Sequence, residues 1–119
     1  MTIEQSHPDH QLLALRDALR EFAAARGWRA YHTPKNLAMA LIVEAAELVE
    51  HFQWATPDES RKLTSDKLAE VRDEVADVLI YLVEMADALN IDLIAAARDK
   101  IAKNALKYPV GRKDPWESE

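Results

Sequence analysis

Two similar pairs of acidic residues stand on the most apolar stretches of the chain. Glu44 and Glu47 lie within LIVEAAELVE, and thirty residues later Glu74 and Asp77 lie within DEVADVLIYL. The two acids of each pair are three residues apart, so a helix directs both to the same side. Unpaired carboxylates beside an apolar core are costly unless they are protonated, paired with bases or bound to a cation. The pairs therefore predict a site for a hard cation with oxygen ligands, such as Mg²⁺.

A single pair of acids at this spacing is usually a solvated helix face, but here both pairs interrupt helices that are otherwise apolar. Glu50 and Glu84 lie at the margins of the two acidic strips, and we expect both to be solvated. His51 is either a neighbour of Glu47 one turn away or a surface residue. On a helical wheel the strips also hold Asn36, His51 and Trp54 beside the first pair and Tyr81 beside the second.

A di-iron carboxylate centre is not expected, because that chemistry uses Glu-x-x-His motifs on two helices. The residues three positions before His32 and His51 are Arg29 and Leu48. The donor set around the acidic pairs is therefore predicted to consist of oxygen atoms.

Four main helices must position these residues, together with a short helical turn that begins at 56–59. Gly27 is predicted to end the first helix, and Asn90 the third. Thr33 followed by proline opens the second, and Asp92 can cap the fourth. The predicted ranges are about 8–26, 34–54, 66–89 and 92–107.

The composition indicates one all-α domain over residues 1–119, with a C-terminal tail at about 108–119 that Trp116 can anchor. The chain has 119 residues, 49% of them hydrophobic, and only two glycines. Such a composition suits helices better than sheets. No cysteine, signal peptide or membrane span is present, so a cytoplasmic protein without membrane association is expected.

The charge distribution argues against a polynucleotide partner, since the net charge is −6. The segment 98–113 is nevertheless basic and can receive a smaller anion. Lys100, Asn104 and Lys107 share one face of the fourth helix, which is either a phosphate-binding face or a solvated basic one. Trp54 and Tyr81 flank the acids and can stack on a base. By spacing alone, Trp28 is a loop residue packed on the core.

Three segments of the chain resemble the MazG-like all-α nucleoside triphosphate pyrophosphohydrolases, in particular the dCTP pyrophosphatase branch. The resemblance spans about residues 12–110. It implies a helical bundle completed by oligomerisation, typically a homotetramer built from two dimers. It also implies Mg²⁺-dependent hydrolysis of a nucleoside triphosphate to monophosphate and pyrophosphate. The matching segments are NLAMALIVEAAELVEHFQW at 36–54, DEVADVLIYL at 73–82 and KIAKNALKYPV at 100–110.

Carried over to this chain, the resemblance implies roles for individual residues. Some relatives have a histidine where this chain has Leu19, which leaves the base preference open. The implied metal ligands are Glu44, Glu47, Glu74 and Asp77. The implied substrate-binding residues are Trp28, Trp54 and Tyr81 around the base and sugar, and His32, Asn36, Lys100, Asn104, Lys107 and Tyr108 near the phosphates or their approach.

The resulting hypothesis is hydrolysis of a dCTP-like nucleotide, in nucleotide-pool control or house-cleaning. A water attacks the α-phosphorus, with Mg²⁺, or Mn²⁺ as a substitute, held between the acids. Glu47 and Glu44 are the catalytic candidates, and Glu47 is preferred for orienting or deprotonating the water. Two alternatives stay open: the same reaction on dUTP or a modified triphosphate, and a non-enzymatic helical dimerisation module.

Overall fold

The computed structural model describes residues 8–111, and within that range it contains helices and no strand. This confirms the predicted all-α class. The first, second, third and fourth predicted helices correspond to α1, α2, α4 and α5 below. The elements are α1 (Pro8–Ala25), a short 3-10 helix (Arg29–Tyr31), α2 (Pro34–Glu50), α3 (Pro57–Ser60), α4 (Ser65–Ala88) and α5 (Leu93–Lys107).

Side-chain caps begin the helices where the sequence predicts them. The Thr33 hydroxyl accepts the Asn36 backbone N–H at 3.2 Å, which starts α2. Thr56 and Glu59 form a reciprocal capping box at α3, and Asp92 accepts a backbone N–H at the start of α5. These local bonds satisfy amide groups that the first turn of a helix leaves unpaired.

Two helices end in a left-handed residue, again as the sequence predicts. Gly27 has φ +67°, and the following Trp28 N–H donates to the Ala23 carbonyl at 2.9 Å. Asn90 has φ 54°, and the Ile91 N–H returns to the carbonyl of Ala86 at 2.8 Å. Both closures place a residue after the turn against the last turn of its helix, the arrangement of a Schellman motif.

The predicted extension of the second helix to residue 54 is wrong, because α2 ends at Glu50. Residues 51–54 form a turn in which Phe52 N–H donates to the Val49 carbonyl at 2.9 Å. Thr56 is extended, with ψ 161°, since it precedes Pro57 and caps α3. The chain must leave the helix before that residue, so the wheel position given to His51 and Trp54 does not hold.

The described helices form a bundle in which α2 and α4 are the main antiparallel pair and α1 packs on α4. Its buried core is small and comprises Ala23, Leu37, Val71, Val83 and Ala86. From residue 95 to residue 107 every side chain of α5 is exposed, and α5 has no extensive packing contact with the other described helices. The bundle thus fixes α2 against α4, where the acidic pairs lie, and leaves α5 projecting.

The predicted tail at 108–119 is described only as far as Gly111, so Trp116 and the last bases of the segment 98–113 lie outside the described residues. Within 8–111, no helix combines the length and the apolarity needed to cross a bilayer.

Candidate metal centre and active site

Three of the four predicted metal ligands converge where α2 faces α4. Glu44 of α2 and Glu74 and Asp77 of α4 each offer a carboxylate oxygen, and these three atoms lie within 4.8 Å of one another. Glu47 adjoins them, because its carboxylate raises the pKa of both Glu44 and Glu74 by its charge and by hydrogen bonding. Helical spacing puts each pair on one side of its helix. The packing of α2 against α4 then brings the two sides together.

The electrostatics of this acidic cluster are unfavourable when the four carboxylates stand alone. The pKa of Glu44 is raised to about 7, first by burial and then by a hydrogen bond and the charge of Glu47. Burial and the charge of Glu47 also raise the pKa of Glu74. Oε2 of Glu44 and Oε2 of Glu74 are both buried and have no hydrogen-bond partner. Buried oxygens without a donor need a proton or a cation.

The cluster fits a divalent cation by its chemistry and its size. All of its donor atoms are carboxylate oxygens, which Mg²⁺ and Mn²⁺ prefer. Two ligands on opposite sides of one Mg²⁺ lie about 4.2 Å apart, given Mg–O distances of about 2.1 Å. The observed limit of 4.8 Å is close to that value. Small side-chain rotations would bring the oxygens of Glu44, Glu74 and Asp77 onto a common ion.

The acidic strip of α4 continues past the cluster through Tyr81 to Glu84. Tyr81 is half-buried, and its pKa is raised by burial and then by the charges of Glu44, Glu84 and Asp77. Its phenol therefore lies between the cluster and Glu84. The prediction that Glu84 is solvated is wrong, because its Oε2 is buried without a hydrogen-bond partner. The same prediction for Glu50 is confirmed, since Glu50 is exposed.

Glu84 lines a cavity of about 300 Å³ between α1 and α4 that the sequence did not predict. Arg16, Arg29 and His32 line it as well, and the charge of His32 lowers the pKa of Glu84 against the larger effect of burial. His32 thus lies at the end of the strip, away from the acidic cluster. In the sequence, this cavity was indicated only by the position of Glu84 on the acidic strip, two helical turns after Asp77.

The remaining predicted residues before α2 and after it are placed separately. The Asn36 amide donates to the Tyr31 carbonyl at 2.8 Å, so it braces the start of α2. Trp28 packs edge-on against Phe22, with ring centroids 5.7 Å apart, and is half exposed. Trp54 is 89% exposed in the turn that follows α2. Trp28 and Trp54 therefore lie on opposite sides of α2 along the chain, and the two rings of one chain do not form a common pocket for a base.

Trp54 and the Glu84 cavity lie toward opposite ends of the α2–α4 pair. His51, just before Trp54, contacts Glu70 near the start of α4 at 3.8 Å. His32, just before α2, lies near Glu84 toward the end of α4. The acidic cluster is between these two ends, so a bound molecule centred on the cluster can extend in either direction.

The predicted phosphate-binding residues of α5 do not meet the acids within one chain. Lys100, Asn104 and Lys107 lie on the exposed part of α5, which projects from the bundle. Tyr108 follows that helix, and the Lys107 ammonium lies 5.3 Å from the centroid of its ring. Their roles in substrate binding remain predictions.

Comparison with known proteins agrees with the geometry. The MazG-like family model matches residues 39–119, which include all four acids of the cluster. The chain belongs to the MazG-like family. Its fold is similar to the crystal structure of a pyrophosphatase from Archaeoglobus fulgidus DSM 4304, with a TM-score of 0.80 and 47% sequence identity. That alignment covers 87% of this chain and 96% of the archaeal one.

Curated relatives of this MazG-like chain include dCTP pyrophosphatase 1 from two mammals. The Mus musculus protein is 39% identical over 105 residues, which are 87% of this chain and 62% of that protein. The Bos taurus protein is 42% identical over 93 residues, which are 76% and 54% of the respective chains. The chain therefore spans about three fifths or less of the length of these relatives.

Proposed function

We propose that this MazG-like chain is a Mg²⁺-dependent nucleoside triphosphate pyrophosphohydrolase that converts a dCTP-like substrate to monophosphate and pyrophosphate. The observation that carries the proposal is the convergence of Glu44, Glu74 and Asp77 beside Glu47, with buried oxygens that lack donors. The names of the relatives, dCTP pyrophosphatase 1 and an archaeal pyrophosphatase, support the reaction type. Mn²⁺ is expected to substitute for Mg²⁺, since both take oxygen ligands.

The acids of the cluster would hold the cation, and the bound cation would neutralise phosphate charge and lower the pKa of a water. The carboxylate of Glu47 would accept a proton from the attacking water. Glu44 is the second candidate for this role. That water forms a bond to the α-phosphorus, the bond to the bridging oxygen breaks, and pyrophosphate leaves with the electron pair. Glu47 is preferred because it stands beside the three converged oxygens instead of among them.

The polyanionic substrate also needs positive groups, because the chain carries a net charge of −6. Within one chain, α5 projects away from the cluster. In an oligomer, Lys100, Asn104 and Lys107 of another copy can approach the phosphates and donate charge-assisted hydrogen bonds. We therefore infer that assembly completes the substrate site.

A panel of nucleoside triphosphates with Mg²⁺, resolving pyrophosphate from orthophosphate, tests the proposal. Pyrophosphate as product with one preferred nucleotide is the expected result. Preference for dUTP or a modified triphosphate would keep the reaction and change the substrate. Release of orthophosphate, or no hydrolysis of any nucleotide with either Mg²⁺ or Mn²⁺, would contradict the proposal and favour a non-enzymatic helical module.

A further inference from the structure

The cavity between α1 and α4 combines hydrogen-bond acceptors and donors at a scale that suits a small ring. Its volume is about 300 Å³, at the lower end of the roughly 300–1,000 Å³ found for ligand pockets. The Glu84 carboxyl supplies acceptor oxygens, and the guanidinium group of Arg29 supplies N–H donors. Arg16 also lines the cavity, but its Nε and Nη2 already donate to Asp17. Arg20, which also lines the cavity, is engaged in an ion pair with Asp87. Such a set can read the edge of a flat, polar ring.

Among the described residues that line this cavity, Glu84 has a buried carboxyl oxygen without a hydrogen-bond partner. Its Oε2 is buried and has no partner, although an unpaired buried oxygen costs stability. Asp87, one turn further along α4, has its carboxylate bonded by Arg20 at 2.9 Å. Rotation about the last side-chain torsion of Glu84 exchanges its two oxygens, so either one can turn to a molecule in the cavity. The unmet bonding capacity of Glu84 is therefore available to a ligand.

The distance between Glu84 and the acidic cluster suits a nucleotide. Seven residues separate Glu84 from Asp77, which corresponds to about 10 Å along the axis of α4. Tyr81 lies between them on the same face. A nucleotide with its phosphates at the cluster would place its sugar beside Tyr81 and its base toward Glu84. This reasoning rests on the proposed function, because that function puts the phosphates at the cluster.

We propose that Glu84 is a specificity-determining residue that accepts a hydrogen bond from the exocyclic amino group of a cytosine base in this cavity. Cytosine presents an amino donor beside two acceptors, the ring N3 and O2. Glu84 would take the donor, and Arg29 or His32 would donate to the acceptors. Uracil has a carbonyl oxygen in place of the amino group, so its lone pairs would face those of Glu84.

The test compares cytosine and uracil nucleotides with the wild-type protein and with Glu84→Gln. Isothermal titration with dCMP and dUMP measures binding without turnover, and kcat/KM for dCTP and dUTP measures discrimination during hydrolysis. The wild type should prefer the cytosine nucleotide about 10- to 100-fold, the range for one specific base contact. In Glu84→Gln the ratio should fall to near one, because an amide can both donate and accept.

A matched control is Glu70→Gln, the same change on the same helix at a residue that contacts His51 and Lys67 outside the cavity. It should keep the wild-type ratio. If Glu84→Gln also keeps that ratio, the proposal for Glu84 is overturned while hydrolysis of nucleotides stands. If the wild type hydrolyses no nucleotide, the proposed function fails, and equal binding of dCMP and dUMP would overturn the cavity assignment as well.

A probe that needs no variant covers the case in which Glu84→Gln does not fold. In N4,N4-dimethyl-dCMP the amino group has no hydrogen to donate. Binding to the wild type should weaken at least as much as it does for dUMP. Binding equal to that of dCMP would overturn the proposal, because the amino donor would then contribute nothing.

Discussion

At the scale of single residues, Glu47 and Glu44 differ in position although they belong to the same motif. Glu44 contributes one of the three carboxylate oxygens that lie within 4.8 Å of one another. Glu47 is adjacent to these oxygens, and its carboxylate raises the pKa of Glu44. The neighbouring position of Glu47 suits a residue that handles the attacking water. The buried Oε2 of Glu44 suits a ligand.

Replacing Glu47 with glutamine should lower kcat by about 100-fold or more, the contribution usual for a general base, and leave helicity unchanged. The amide is almost the same size but does not accept a proton. Steady-state kinetics with Mg²⁺ and the preferred triphosphate measures the change, and circular dichroism checks the fold. Glu50→Gln is the matched control, since Glu50 is exposed on the same helix. Near-normal turnover in Glu47→Gln would show that the water is activated elsewhere.

Addition of Mg²⁺ should raise the thermal unfolding midpoint of the wild type, because the ion relieves repulsion among buried carboxylates in the folded state only. The gain follows the ratio of ion concentration to Kd, and 100 times Kd corresponds to about 2.7 kcal/mol. Asp77→Asn removes one charge from the cluster and should remove most of this gain. Thermal scans with Mg²⁺ and with EDTA measure it. A midpoint that does not respond to Mg²⁺ or Mn²⁺ would support the non-enzymatic alternative.

At the scale of elements, one ion pair joins α1 to α4 beside the cavity that Glu84 lines. Arg20 donates to both carboxylate oxygens of Asp87, 67 residues later in the chain. The bond from Arg20 holds the pKa of Asp87 below its ordinary value. This contact positions α1 over the cavity in which we place the base.

The Arg20–Asp87 pair predicts how stability depends on pH. An acid whose pKa is lowered by folding stabilises the folded state above its unfolded pKa, about 3.9 for Asp, and this contribution is lost as pH falls through the folded value. Asp87→Asn should therefore lower stability near pH 7, and the difference from the wild type should shrink near pH 3. Urea unfolding at both values measures it. Asp73→Asn is the control, because Asp73 is exposed on the same helix as Asp87, and an equal loss there would argue against a special role of Asp87.

At the scale of the whole molecule, the described fold leaves more apolar surface exposed than a small monomer usually does. Its radius of gyration is 17.8 Å, against about 13–14 Å for a compact chain of this length. On the outer face of α2, Met39 is 58% exposed and Ile42 66%, and Leu68 and Val75 of α4 are also exposed. Large exposed apolar faces mark contact surfaces. Homotetramer formation from two dimers remains the prediction.

Ile42→Glu should shift the protein toward smaller species, because it places a charge in the middle of the apolar face of α2. Sedimentation velocity at micromolar concentration measures the distribution. The control is Lys62→Glu, at an exposed position after α3, which should leave the distribution of oligomeric species unchanged. If the wild type is already a monodisperse monomer, both the assembly and the completion of the site by α5 of another copy are wrong.

Much of the fold follows from the sequence because helix signals are local. The Thr-Pro starts, Gly27 and Asn90 act within one or two turns, so most helix ends could be predicted to within a residue or two. The end of α2 is the exception. There the competing signal of Pro57 outweighed a continuous apolar pattern that extends to Trp54.

The sequence by itself determined that each acidic pair shares one side of its helix, since a spacing of three residues needs only helical geometry. Only the tertiary structure decided that Glu44 meets Glu74 and Asp77, because that contact depends on the antiparallel register of α2 and α4. It also decided that Glu84 is half-buried beside a cavity, with its Oε2 out of contact with solvent. The wheel position of Glu84 is marginal, and its burial depends on α1 and His32, which are distant along the chain and reach Glu84 only when the bundle has packed.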